Sequence, residues 1–137
     1  MKIKTINWIT IVVILLQCLP GLVILISEDI GNQLIADSFG NGNQITDKDA
    51  LRISKTFMMV FPFIGLGIAS IVLGLNKIKD QETARKLCVY VAVYMGLFAL
   101  PDVINTFTDL ISQPIPLILI NYACMGLLLY GSKKGTV

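Results

Sequence analysis

The chain contains no histidine. That absence removes Ser-His-Asp and Cys-His catalysis, His-ligated zinc or copper, and a haem held by a proximal histidine. Charge is sparse as well. Only 15% of the 137 residues are Asp, Glu, Lys or Arg, where a soluble domain carries roughly a quarter. The net charge of +2 is too small to attract nucleic acid, and the charges flank apolar runs instead of forming a patch. No nucleic-acid partner is expected. The three cysteines, Cys18, Cys88 and Cys124, form no CxxC pair and lie inside apolar runs. They read as small apolar residues, not as a disulfide framework or redox pair. Neither a glycine-rich phosphate loop nor a paired metal-ligand motif occurs, and no metal or cofactor is expected.

What the chain has is hydrophobic length. Its residues are 55% hydrophobic, its mean hydropathy is +0.76, and its size suits one domain. Four apolar runs cover residues 8–27, 56–75, 87–107 and 115–131. Crossing ~30 Å of hydrocarbon at 1.5 Å per residue takes about 20 residues, and the fourth run is at the short end of that range. The fold class expected is all-α: an integral membrane four-helix bundle running up-down-up-down, with a short interfacial helix after the first span.

Lys2 and Lys4 before an apolar run also describe a signal peptide. Gln17 is too large for the small residue that a lipoprotein cleavage box needs, and the run continues past Cys18. The segment is read as a retained span, with Trp8 as its interfacial anchor. The loop at 28–55 holds five acids and three bases. Within it Ile30, Leu34, Ile35 and Phe39 are spaced for a short amphipathic helix. Gly40, Asn41, Gly42 and Asn43 form a turn signal. Thr46, Asp47, Lys48 and Asp49 resemble a capping box, so the second helix should start near Thr46. Pro62 should kink or loosen that helix. Gly65/Ala69, Ser70/Gly74 and Ala92/Gly96 are small-xxx-small pairs that let helices approach closely. A tight turn is expected at 109–116.

Lys2, Lys4, Lys77, Lys79, Arg85, Lys86, Lys133 and Lys134 are eight of the eleven basic residues. By the positive-inside rule this places both termini in the cytoplasm of a plasma (inner) membrane protein, with the long acidic loop outside.

Asp102 is the only acid set inside an apolar run. With Asn105, Thr106 and Asp109 it is spaced i, i+3, i+4, i+7, one helix face. It lies about five residues below the outer end of its span, and Asn121 about as deep in the fourth. Gln17 sits near the midplane of the first, and Arg52 and Lys55 at the outer mouth of the second. Two interpretations follow. In one, Asp102 is the charged base of an outward-open pocket, walled by Asn121 and Gln17 with Arg52 at the rim. In the other, the third span ends near Pro101, Asp102 meets water and pairs with Arg52 or Lys55, and Asn121 and Gln17 are interhelical hydrogen bonds.

The layout resembles the small DoxX-like four-helix bacterial membrane proteins. The shared features are the amphipathic segment at 30–39, Arg52 ahead of Gly65-Leu66-Gly67, and the polar break at Pro101-Asp102. The resemblance implies a four-span fold and a role among accessory subunits of quinone-linked systems or members of unknown role. The third span has no matching glycine-rich segment, so no residue role is carried over.

The expected function is a non-enzymatic membrane component that binds a partner subunit or a lipophilic small molecule through its outer half. The alternative is a small homo-oligomeric transporter or channel using Asp102. The first span lacks the carboxylate of a four-helix exporter, and no mid-membrane lysine could hold retinal. An enzyme with Asp102 as acid and Arg52 as anchor lacks an accompanying nucleophile or metal set. Membrane lipid, a second copy or a partner membrane subunit are the partners such a chain would have.

Overall fold

The computed structural model describes residues 1–39, 45–108 and 115–137. The expected turn at residues 40–43 and most of that at 109–116, with Asp109, lie outside the described residues. Five helices follow in order: α1 Ile3–Ile26, α2 Glu28–Phe39, α3 Lys48–Leu75, α4 Gln81–Thr108 and α5 Ile115–Lys134. All but α2 are long and apolar enough to cross a membrane.

The helices outrun the apolar segments because capping and helix-forming polar residues extend them beyond hydrocarbon. α3 is capped by Asp47, one residue later than expected. Its short carboxylate reaches back on itself, Oδ1 accepting from the amides of Asp49 (2.9 Å) and Ala50 (2.8 Å). Asp80 caps α4 in the same way, accepting from the Thr83 amide at 2.8 Å. A single extended residue, Ser27, separates α1 from α2, and its carbonyl accepts from the Gly31 amide at 2.9 Å. Glu28 and Asp29 then sit in the first turn of α2, where the helix dipole favours acids.

The expected amphipathic helix is thus present, turned about its axis. Gly31, Ile35 and Ala36 are buried and Ile30 is exposed. α2 lies on α1 and α3, and the rotation follows from Gly31. A methyl there would come 3.2 Å from Ile24 Cα, so the glycine faces α1.

α1 packs along α3 and α4 along α5, and the two pairs join where α1 meets α5. α3 and α4 touch sparingly. Each long helix sends a fully buried residue into the shared core: Ile6, Val72, Met95 and Leu128.

The α1–α3 seam is set by Pro62. A proline has no amide, so the Met58 carbonyl one turn earlier has no intrahelical partner. α3 nevertheless runs through it unbroken. Gly21 of α1 lies over this notch: a methyl at Gly21 would be 2.6 Å from the Met58 oxygen and would also strike the Pro62 ring. One turn on, Gly65 makes room for Cys18 of α1, whose thiol donates to the Pro62 carbonyl at 3.5 Å. The Gly65/Ala69 pair therefore packs inside the chain, as does Ala92/Gly96 against Met125 of α5. Ser70 and Gly74 face outward, and nothing in the chain lies within 4 Å of a methyl placed at Gly74.

The start of α1, the end of α3, the start of α4 and the end of α5 gather at one end. Lys2 bridges Thr136 in parallel, the Ile3 amide donating to the Thr136 carbonyl at 2.8 Å. Arg85 Nε donates to the Gly135 carbonyl at 3.0 Å, and Asn7 Nδ2 to Asn76 Oδ1 at 3.0 Å.

Candidate functional site at the α2 end

The five residues singled out in the sequence do not form one site. Gln17 and Asn121 do come together. Gln17 Nε2 of α1 donates to Asn121 Oδ1 of α5 at 2.5 Å, and Asn121 is 2% exposed. An amide in so apolar a setting needs such a partner, and the pair ties the two helix pairs to each other.

Asp102 stands elsewhere. The helix does not stop at Pro101; α4 continues through it to Thr108, as membrane helices tolerate. Asp102 is half-buried on that helix, with Asn105 half-buried one turn later. The Thr106 hydroxyl bonds back to the Asp102 carbonyl at 2.8 Å, a local bond that leaves the carboxylate free. Asp102 makes no ion pair with Arg52 or Lys55; Lys55 pairs instead with Glu28 of α2 at 3.1 Å. The pairing of Asp102 with either base is therefore corrected.

Arg52 lies on the outward face of α3 beside an open trough of about 790 Å³. Asp49, Arg52 and Thr56 form its mouth; Phe57, Val60, Phe61 and Ile64 form its floor. These positions recur at steps of three and four, so they are one helix face graded from charged to apolar. Among the described residues neither Asp49 nor Arg52 has a salt-bridge partner.

A second, smaller hollow of about 20 Å³, the size of one water molecule, lies between α1, α3 and α4. Gln17, Cys18 and Tyr94 line it, and the Tyr94 hydroxyl is buried with no hydrogen-bond partner among the described residues. Asp102 lines neither hollow.

The residues that the sequence reading missed are aromatic. Phe39 of α2 meets Phe57 edge-on at 6.5 Å, Phe57 meets Phe61 at 4.9 Å, and Phe61 meets Phe98 of α4 at 5.9 Å. Tyr94 stacks on Phe98 at 5.7 Å. This ladder closes the sparse α3–α4 contact with ring edges, each pair worth about 0.5–1.5 kcal/mol beyond burial. The i, i+4 spacings of Phe57/Phe61 and Tyr94/Phe98 were the available signal. Tyr90, one turn before Tyr94, is instead 71% exposed.

Fold and site together define the class: an all-helical protein of five helices, four of them able to span a membrane. No family model matches the chain, and neither a curated protein nor a solved structure matches it. The DoxX-like layout thus stays a likeness of plan.

Proposed function

We propose that the protein is a non-enzymatic component of a cell membrane that binds a partner, another membrane subunit or a lipophilic molecule, through the end carrying α2. The observation that carries this is the trough on α3, about 790 Å³ with a charged mouth and an apolar floor, lined among the described residues by α3 alone. A graded face of this kind suits an occupant that is itself wet at one end and apolar below.

The bundle runs up-down-up-down in the plasma membrane. The contacts that gather both chain ends with the α3–α4 connection support that arrangement. Eight of the eleven basic residues lie at or next to that gathered end, so it faces the cytoplasm and the α2 end faces outward. Native mass spectrometry of the protein released from a mild detergent tests the function. A partner subunit or a bound lipophilic molecule is expected; a bare monomer sinks the proposal.

Asp102 favours a second reading, a small homo-oligomeric transporter or channel, because a half-buried acid on a spanning helix is costly without a use. In reconstituted vesicles Asp102→Asn should then abolish flux. Flux left unchanged removes Asp102 from that role.

A further inference from the structure

The face of α3 opposite α1 is exposed from end to end. Asp49, Ile53, Thr56 and Val60 follow one another at alternating steps of four and three, and all are exposed. The alternation continues through Phe63, Gly67, Ser70 and Gly74, again all exposed. The opposite face, Pro62, Gly65, Ala69 and Val72, is the one buried on α1. A repeat of 3.5 residues held over the length of a helix is the spacing that keeps one seam against a second helix wound left-handed around it.

We propose that this seam is covered by a second copy of the chain, in a parallel α3–α3 pair about a twofold axis along the membrane normal. The inference rests on the partner-binding reading above and names the partner. Copies of one chain insert in the same direction, so a twofold along the normal sets equal depths of the two α3 helices side by side. At the wet end it gathers Asp49 and Arg52 of both copies, two acids and two cations at one level. Each of these charges lacks a salt-bridge partner within its own chain, among the described residues. The face is thus complementary to itself in charge. Deeper, nothing lies within 4 Å of a methyl built at Gly67 or Gly74, which lets two backbones approach at the crossing angle of roughly 20° usual for membrane helices.

Cysteine cross-linking in vesicles at low protein-to-lipid ratio tests the pair. Ile53→Cys, Val60→Cys and Gly67→Cys should each give a cross-linked dimer. Val93→Cys and Leu97→Cys, on an exposed face of α4 at 53% and 63% exposure, should not. The parent chain is the background control, since Cys18, Cys88 and Cys124 are buried. Asp49→Arg alone, or Arg52→Asp alone, puts four like charges at one level and should lower the dimer yield of Val60→Cys several-fold. The two together should restore it. Cross-linking equal on both helices, or insensitive to either single charge change, overturns the pairing. A monomer carrying a lipid or a different subunit along α3 also overturns it, while leaving the partner-binding function in place. A monomer with nothing bound sinks both.

Discussion

The two ends of the molecule treat their polar groups in opposite ways. At the end that gathers the termini, polar groups find each other across helices: Asn7 with Asn76, Arg85 with the Gly135 carbonyl, and the Ile3 amide with Thr136. A little deeper the Cys124 thiol donates to Thr10 Oγ1 at 3.3 Å, and Thr10 donates to the Ile6 carbonyl at 3.0 Å. At the α2 end, the Cys18 thiol ties α1 to the Pro62 carbonyl of α3, and Gln17–Asn121 ties α1 to α5. Beyond these Asp49, Arg52 and Asp102 have no salt-bridge partner among the described residues. The closed end uses these bonds to hold its helices together, whereas the open end has, among the described residues, one interhelical ion pair, Lys55–Glu28, and the charged mouth of the trough.

The largest test strikes the joint that both ends share. Gly21→Ala forces a methyl onto the Met58 carbonyl and the rigid Pro62 ring, and overpacking of this kind costs about 1–3 kcal/mol. Unfolding in mixed micelles should show that loss. Gly126→Ala on α5, where the chain leaves open space, should stay within about 0.5 kcal/mol, as surface changes do. Equal losses at the two glycines would mean that α1 does not rest on the proline notch.

The next test cuts the tie between α1 and α5 nearer the open end. Gln17→Leu and Asn121→Leu should each cost roughly 0.6–1.7 kcal/mol, the range for interhelical hydrogen bonds in membranes. A double-mutant cycle should recover a coupling of similar size. Strictly additive losses would show the amides acting independently.

The smallest effect belongs to the closed end and depends on pH. Hydrogen bonds from Thr83 hold the Asp80 carboxyl below the ordinary carboxylate range. The folded state therefore favours the charged form. That stability is present at neutral pH and is lost as pH falls through the lowered folded value, below about 3.9. Opening at the start of α4, read as amide exchange normalised to the intrinsic rate at each pH, should rise in acid in the natural chain. In Asp80→Ala it should be raised already at neutral pH, the two profiles converging in acid. A constant gap across the whole range would exclude the cap as the cause.

Much of the fold was legible from one-dimensional signals. Runs of about 20 apolar residues name spanning helices because hydrocarbon leaves a backbone few other ways to satisfy itself. The spacing of Ile30, Leu34 and Ile35 announced α2, though its buried face was set by Gly31 meeting Ile24. The Gln17–Asn121 tie was foreseen only as a kind of bond. Its partners are 104 residues apart, and sequence carries no signal for which helix lies against which.

The sequence by itself determined the helices and the four apolar lengths able to span a membrane, because each depends on residues within a few positions of one another. Tertiary structure alone decided how the polar residues were sorted. It spent Gln17 and Asn121 on each other, left Asp102 on a helix that runs past Pro101, and turned Asp49 and Arg52 to an uncovered face. Those outcomes follow from α1 standing between α3 and α5, an arrangement set by how Gly21, Pro62 and Gly65 fit on one side and Ile6 fits on Gly131 on the other, and not by any local pattern.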